Sequence, residues 1–403
     1  MARALVFLTD AFGGRGGIAQ FNRDLLTSLS NDPAYTRVVA LPRILFDKPG
    51  RVPKNLTFRA ESAGGKLRYM RESVRAVMSE RFDVVICSHI NLISIAAAAA
   101  AAQRVPLLLV VYGIEAWKRP KNAIAARLVK RVDAVVAISE HTKKKFMAWS
   151  GVSGARVHVI PCCVDAKRFG MGPKREDLLR KYRLRGRTVM LTVARLAGIE
   201  RAKGIDEVME SLTDLAREIP NLSYLVVGDG TDRQRLEQKA RSLGVSQRVV
   251  FAGYVPEEEK ADHYRLADAF VMPGRGEGFG IVYLEALACG LPIIASTLDA
   301  SGEVVLNRRF GRVVNPDRPS ELKAAVVDLL AEPKRSIPRE LGTFSYDRFR
   351  ARWNWLLAEM SVGDLASLPA LTREPAYAGG RGRGGMFGVE TPTPVSTPVA
   401  LER

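Results

Sequence analysis

Cysteine and histidine are both scarce, with four of each in 403 residues. Cys87, Cys162, Cys163 and Cys289 make no C-x-x-C pair and no metal-ligand spacing with a histidine, which excludes a zinc finger or ribbon. They also form no disulfide framework, and such thiols fit a reducing, cytoplasmic compartment. No D-x-D triplet occurs, so the chain lacks the paired carboxylates that commonly hold a divalent cation. Long apolar runs are missing too. The longest, "LISIAAAAAAA" (92–102), is mostly alanine and reads as a buried helix rather than a bilayer span. The start, "MARALVFLTDAFGG", has an apolar run too short for a signal peptide and reads as a first strand.

Acidic residues are the scarcer charge: 43 Asp+Glu against 61 Lys+Arg, net +18. The excess sits in the first half, with net +15 over residues 1–170 and +3 over 171–403. That split points to an anionic partner for the first half: nucleic acid, phospholipid or a phosphorylated acceptor. An arginine-rich composition with solvated surfaces accounts for part of it equally well.

Hydrophobic residues make up 47% of the chain, ample for a large core. Near-continuous apolar strand candidates alternate with helical stretches, six at 3–9, 37–41, 83–88, 105–113, 133–139 and 156–161. Six more follow at 188–195, 222–230, 248–254, 268–274, 291–296 and 311–316. This pattern predicts an α/β protein of two doubly wound, Rossmann-like parallel-sheet domains facing a cleft. The boundaries read as a first domain at 1–164, a polar linker at 165–187, a second domain at 188–335 and a last helical segment at 336–361. Residues 362–403, with "GGRGRGG" and "TPTPVSTP", read as a disordered tail.

In such sheets ligands sit beyond the carboxyl ends of strands, and the distinctive residues fall there. "FGGRGGIAQF" (12–21) is a glycine loop opening a helix, where Gly16 and Gly17 let backbone amides approach an anion. A plain tight turn accounts for these glycines equally well. "VARLAGIERAKGID" (193–206) presents Arg195 and Lys203, a pair suited to a diphosphate or to two solvated loop positions. "VVGDG" (226–230) places Gly228 in a turn that fits close backbone approach to a ligand. "GRGEGFGIVYLEALACG" (274–290) sets Glu277 and Glu285 eight positions apart around a glycine-rich helix start, and its apolar neighbours should bury Glu285.

Together, Glu277-x7-Glu285, "ARL…KG", "VVGDG" and "ACGLPIIAS" resemble the retaining glycosyltransferases of family four, which have the two-domain glycosyltransferase-B fold. The resemblance covers most of residues 1–335. It implies that Glu285 binds the ribose of a nucleotide sugar, and that Glu277 with the Phe279–Gly280 backbone holds the sugar hydroxyls. Amides of Ile281 and Val282 would face phosphate beside Arg195 and Lys203, with Gly16 and Gly17 approaching from the other domain. The ligand that Gly228 approaches would be the nucleotide sugar. The backbone near Tyr254 and Val255 would border the base. His89, in "CSHINL", matches a histidine near the reacting sugar carbon, the alternative being a satisfied structural residue.

The chain departs from the family in two places: Tyr112-Gly113 stands where many relatives have His-Gly, and "IPCCVD" replaces "IPNGVD". Tyr112 and Glu115 are therefore expected to shape the acceptor or sugar site differently.

The resemblance implies glycosyl transfer with retention, in cell-envelope glycan synthesis. The donor would be UDP-hexose or GDP-mannose and the acceptor anionic or lipid-linked, with no cofactor and no metal. A sugar-nucleotide 2-epimerase shares the fold and is the enzymatic alternative. A glycoside hydrolase would leave Arg195 and Lys203 idle, and a nicotinamide dehydrogenase would leave the second half idle. A nucleic-acid-binding protein finds no zinc spacing or aromatic-basic motif here, so nucleic acid is not expected as a partner. "GKLRYMRESVRAVMSERF" (65–82) repeats Leu67, Met70, Val74 and Val77 at helical spacing beside Lys66, Arg68, Arg71 and Arg75. It reads either as a helix at an anionic bilayer, peripheral to the membrane, or as a surface helix with that stripe on the core.

Overall fold

The computed structural model describes residues 1–198, 202–305, 310–331 and 336–362. The expected tail lies outside them, except Val362, which ends a helix.

Seven strands form the first sheet: β1 (Ala2–Leu8), β2 (Tyr35–Pro42), β3 (Leu56–Phe58), β4 (Val84–Ser88), β5 (Leu107–Val111), β6 (Ala134–Ala137) and β7 (Val157–Val159). Six form the second: β8 (Thr188–Val193), β9 (Leu222–Val227), β10 (Val249–Gly253), β11 (Ala269–Val271), β12 (Ile293–Ser296) and β13 (Gly311–Val314). The orders are β3-β2-β1-β4-β5-β6-β7 and β10-β9-β8-β11-β12-β13. Every pairing is parallel, as in β1 with β4 from Ala4↔Val84 to Leu8↔Ser88. Helices cover both faces, so Ala4–Leu8 is wholly buried and the strands read as unbroken apolar runs. One strand escapes the sequence pattern. β3 is the three-residue edge segment "LTF", too short to show a period.

The segment expected as a linker does join the two sheets, but it is folded and packed. It holds the short helices Ala166–Phe169 and Glu176–Lys181, and buries Phe169, Leu178, Leu179, Tyr182 and Leu184. Tyr182 Oη meets His263 Nε2 at 3.0 Å and Lys174 pairs with Asp268 at 2.9 Å, which fasten the segment to the second domain. The last helix, Tyr346–Val362, returns to the first domain. There Phe349 and Trp353 pack edge-on against Phe21, with centroids 5.3 and 6.3 Å away.

The helix Lys66–Ser79 settles one of the two open readings. Its stripe does not lie on the core: Leu67, Met70 and Val74 are exposed, and only Val77 packs inward in part.

Candidate active site

Each sheet reverses its strand order once, between β1 and β4 and between β8 and β11. Such reversals leave a crevice beyond the strand ends, where ligands settle. The glycine loop follows β1 and His89 follows β4, so both flank the first reversal. Arg195 follows β8 and the Gly274–Gly280 segment follows β11, flanking the second.

The two crevices meet. A Cβ built on Gly17 would lie 3.9 Å from Ile281 Cγ2, so the first domain's loop faces the start of the helix Ile281–Ala288 in the second. Gly16 caps the helix Gly17–Ser30 at φ 88°, and Gly280 caps Ile281–Ala288 at φ 89°, conformations that favour glycine. Ile281 and Val282 thus stand in the first turn, where amides point toward an anion. Arg195 and Lys203 line one small cavity with Asp206 and Asp232.

Other glycines serve the chain's own packing. A Cβ on Gly228 would fall 1.8 Å from Ala194 O, and one on Gly278 would fall 1.7 Å from Tyr112 O. At Gly228 one such close approach is to the chain's own backbone.

Glu285 is 3% exposed, and both its oxygens are occupied. Lys260 Nζ donates to Oε1 at 2.9 Å and Tyr264 Oη to Oε2 at 2.7 Å. Burial pushes Lys260 down, but Glu285 and Glu257 overcome it and hold the ammonium above its ordinary pKa. Burial, with Glu285 beside it, pushes the Tyr264 phenol well up. Glu277 accepts from Lys203 Nζ, and its own amide donates to Asp299 Oδ2 at 3.0 Å. Asp299 also caps the following turn by accepting from Ser301 N at 3.0 Å. Phe279 buries its ring against Phe344, leaving only its backbone near the cleft.

His89 is 8% exposed at the end of β4. Its Nδ1 accepts from Asn91 N at 3.2 Å, which leaves the proton of a neutral ring on Nε2. Burial lowers its pKa, opposed by Glu115 and Asp10, so the neutral ring is favoured at pH 7. Tyr112 does not present its ring to the cleft. It is buried, with Oη donating to Asn22 Oδ1 at 2.8 Å and lying against Ser88. Glu115 accepts from the amides of Tyr112 at 2.6 Å and Gly113 at 3.1 Å, so it shapes the turn after β5.

Several contacts join the domains across the cleft. Tyr254 is 57% exposed, and Arg15 lies over its ring at 4.9 Å while pairing with Asp47 at 2.9 Å. Half-buried Val255 follows it. Thr142 Oγ1 donates to Gly278 O at 3.3 Å. Glu303 accepts from Glu140 N at 3.0 Å and His141 N at 2.7 Å, capping a first-domain helix from the second domain.

The structure thus gathers Gly16, Gly17, Arg195, Lys203, Glu277, Ile281 and Val282 at one cleft. Sequence reasoning missed Lys260, Tyr264, Asp299 and Glu303. Lys260 sits in "PEEEKADHY", which reads as a solvated charge run, and only a search for a cation to match buried Glu285 would have singled it out.

Comparison with known proteins agrees with the two-domain fold. A family described as "Glycosyltransferase Family 4" matches residues 15–168, and one described as "Glycosyl transferases group 1" matches 174–343. The chain is 34% identical over 249 residues to a GDP-mannose-dependent alpha-(1-6)-phosphatidylinositol monomannoside mannosyltransferase of Mycolicibacterium smegmatis. That match covers 60% of the chain and 64% of the relative, so it spans just under two thirds of that protein. A Mycobacterium tuberculosis protein of the same description is 27% identical over 398 residues, 91% of the chain and 100% of the relative. Among solved structures, Anabaena HepE in complex with UDP superposes with a TM-score of 0.70 at 18% identity, over 89% of the chain and 100% of that structure. Sucrose-phosphate synthase from Thermosynechococcus elongatus gives 0.71 at 18%, over 90% and 100%. These two likenesses establish the fold.

Proposed function

We propose that this chain, which belongs to the group 1 and family 4 glycosyltransferases, moves a mannosyl group from GDP-mannose to a phosphatidylinositol-type lipid acceptor with retention of configuration. The observation that carries the reading is the meeting of Gly16–Gly17, Arg195, Lys203 and the first turn of Ile281–Ala288 beside Glu277 and Glu285. The mannosyltransferase relatives favour the donor and the acceptor class.

In this reading the leaving group is a nucleoside diphosphate, and its developing charge is the main barrier term. Arg195, Lys203 and the amides of Ile281 and Val282 offer fixed positive charge and dipoles to stabilise it. Lys203 is held by Glu277 and would be shared between that carboxylate and the diphosphate. Glu277 and the Phe279–Gly280 backbone orient the sugar. Glu285, fixed from behind by Lys260 and Tyr264, presents its remaining lone pairs to the ribose. His89, with its proton on Nε2, donates to the sugar rather than accepting from it.

A thermal-shift panel of GDP, GDP-mannose, UDP, UDP-glucose and ADP tests the donor. A ligand that binds only the native state at a hundred times its Kd stabilises it by about 2.7 kcal/mol. GDP and GDP-mannose should raise Tm most. A rise with UDP compounds alone would replace the donor, and no rise with any nucleotide would remove the reading.

A further inference from the structure

The helix Lys66–Ser79 turns its apolar residues away from the protein. Tyr69, Glu72, Ser73 and Ala76 form its buried face, while Leu67, Met70, Val74 and Met78 are 83%, 57%, 62% and 80% exposed. An ordinary surface helix does the reverse. Spaced at i, i+3, i+7 and i+11, the four fall along one outer line. Lys66, Arg68, Arg71 and Arg75 border it, all exposed. Glu72, the one acid of the helix, is turned inward beside Arg59, Arg71 and Arg75 at 3.9, 3.2 and 3.7 Å. The outer face therefore carries cations and apolar side chains with no acid among them.

The loop after β2 extends this surface. Ile44 and Phe46 are exposed, and so are Lys48, Arg51 and Lys54. Its one acid, Asp47, is paired with Arg15. Arg43 lies over the Tyr69 ring at 5.8 Å, so the loop and the helix adjoin.

We propose that this surface docks the protein on an anionic phospholipid bilayer. Leu67, Met70, Val74, Met78 and Phe46 enter the headgroup boundary, and the surrounding Lys and Arg residues meet lipid phosphates. A polyphosphate such as nucleic acid would meet the same cations but leave the apolar line between them without a partner.

The surface also adjoins the cleft. Phe46 N and Asp47 N donate to Gly13 O in the glycine loop at 3.3 and 2.9 Å. Arg15, paired with Asp47, lies over Tyr254 of the second domain. Resting on the lipid-acceptor reading, this placement lets an acceptor reach the cleft while its acyl chains stay in the membrane. Docking itself does not depend on that reading.

The test is co-sedimentation of the full chain with vesicles of phosphatidylglycerol in phosphatidylcholine. Wild type should bind at low salt and release as salt rises. Leu67→Ser/Met70→Ser/Val74→Ser should weaken partitioning at least about tenfold. Lys66→Glu/Arg68→Glu should weaken it at least about fivefold for each cation reversed. An unchanged melting temperature and an unchanged nucleotide-induced shift establish that the variants are folded. Undiminished binding by the apolar triple variant, or wild-type protein that ignores anionic vesicles at low salt, overturns the proposal, as does binding to duplex DNA without binding to vesicles. Transfer to a detergent-solubilised acceptor by a protein that ignores vesicles would sink docking alone. Docking without sugar transfer would sink the functional reading alone.

Discussion

Glu285 is held from behind, and this changes what its removal should do. Glu285→Ala would leave Lys260 and Tyr264 buried without their shared partner, so it should lower stability as well as nucleotide binding. Glu285→Gln keeps an acceptor for one of the two donors and leaves Lys260 its second carboxylate, Glu257, so it disturbs the fold less than Glu285→Ala. In calorimetric titration with GDP it should lose roughly 1.5–3 kcal/mol, and Arg195→Ala a similar amount. Wild-type affinity in a well-folded Glu285→Gln protein would exclude the ribose role. Asp24 makes a separate prediction. Burial raises its carboxyl from 3.8 to about 6, opposed by hydrogen bonds from Gln20 and Cys163. The native state then binds the proton more tightly than the unfolded chain, so the associated stability is full below about pH 4. It is lost as pH rises through about 6. Asp24→Asn should raise Tm at pH 7 to 8, by up to about 3 kcal/mol in stability, and change little at pH 4. An equal effect at both pH values would refute it. At this scale the sequence singled out candidate residues at strand ends but not what holds them. Glu277 and Glu285 stand out by their spacing, whereas Lys260 acquires its meaning only from a carboxylate 25 positions away.

Elements were the most legible scale, because a strand covered on both faces is an unbroken apolar run. Twelve strand candidates became twelve strands, and the exception, β3, is an edge segment of three residues. Direction was harder to read than periodicity. The period of Lys66–Ser79 marks an apolar line, but only tertiary packing decides which side meets the core, and there Tyr69, Ser73 and Ala76 won. The 165–187 segment looked like a linker because its charges outnumber its apolar residues, yet a few buried side chains suffice to dock it. Glycine-rich turns were visible as such, but not the partner each one approaches. Gly278 approaches Tyr112 O at the end of β5, a carbonyl fixed by a buried ring. Gly278→Ala should therefore push the domains apart, lowering kcat/KM by about a hundredfold while Tm falls little. Steady-state kinetics with a melting curve would decide, and a large loss of Tm with normal activity per folded molecule would show the clash to be local.

Two sheets, each reversing its strand order once, place two crevices opposite each other, and the last helix ties the chain back to its first domain. The net +15 of residues 1–170 belongs to the half that carries the outward-facing helix, and Arg195 and Lys203, the proposed diphosphate-binding pair, to the other. The whole-molecule proposal is a division of labour in which one half would meet the acceptor and its membrane and the other would supply the donor. No described helix is long and apolar enough to cross a membrane. The direct test is to incubate the full chain with GDP-mannose and a phosphatidylinositol-based acceptor in EDTA, and to read the anomeric signal of the product by proton NMR. The account predicts an α-linked mannosyl lipid, formed without added metal and lost in Lys203→Ala. A β-linked product, activity restored only by Mn²⁺, or conversion of the sugar nucleotide to its 2-epimer with no transfer would contradict it.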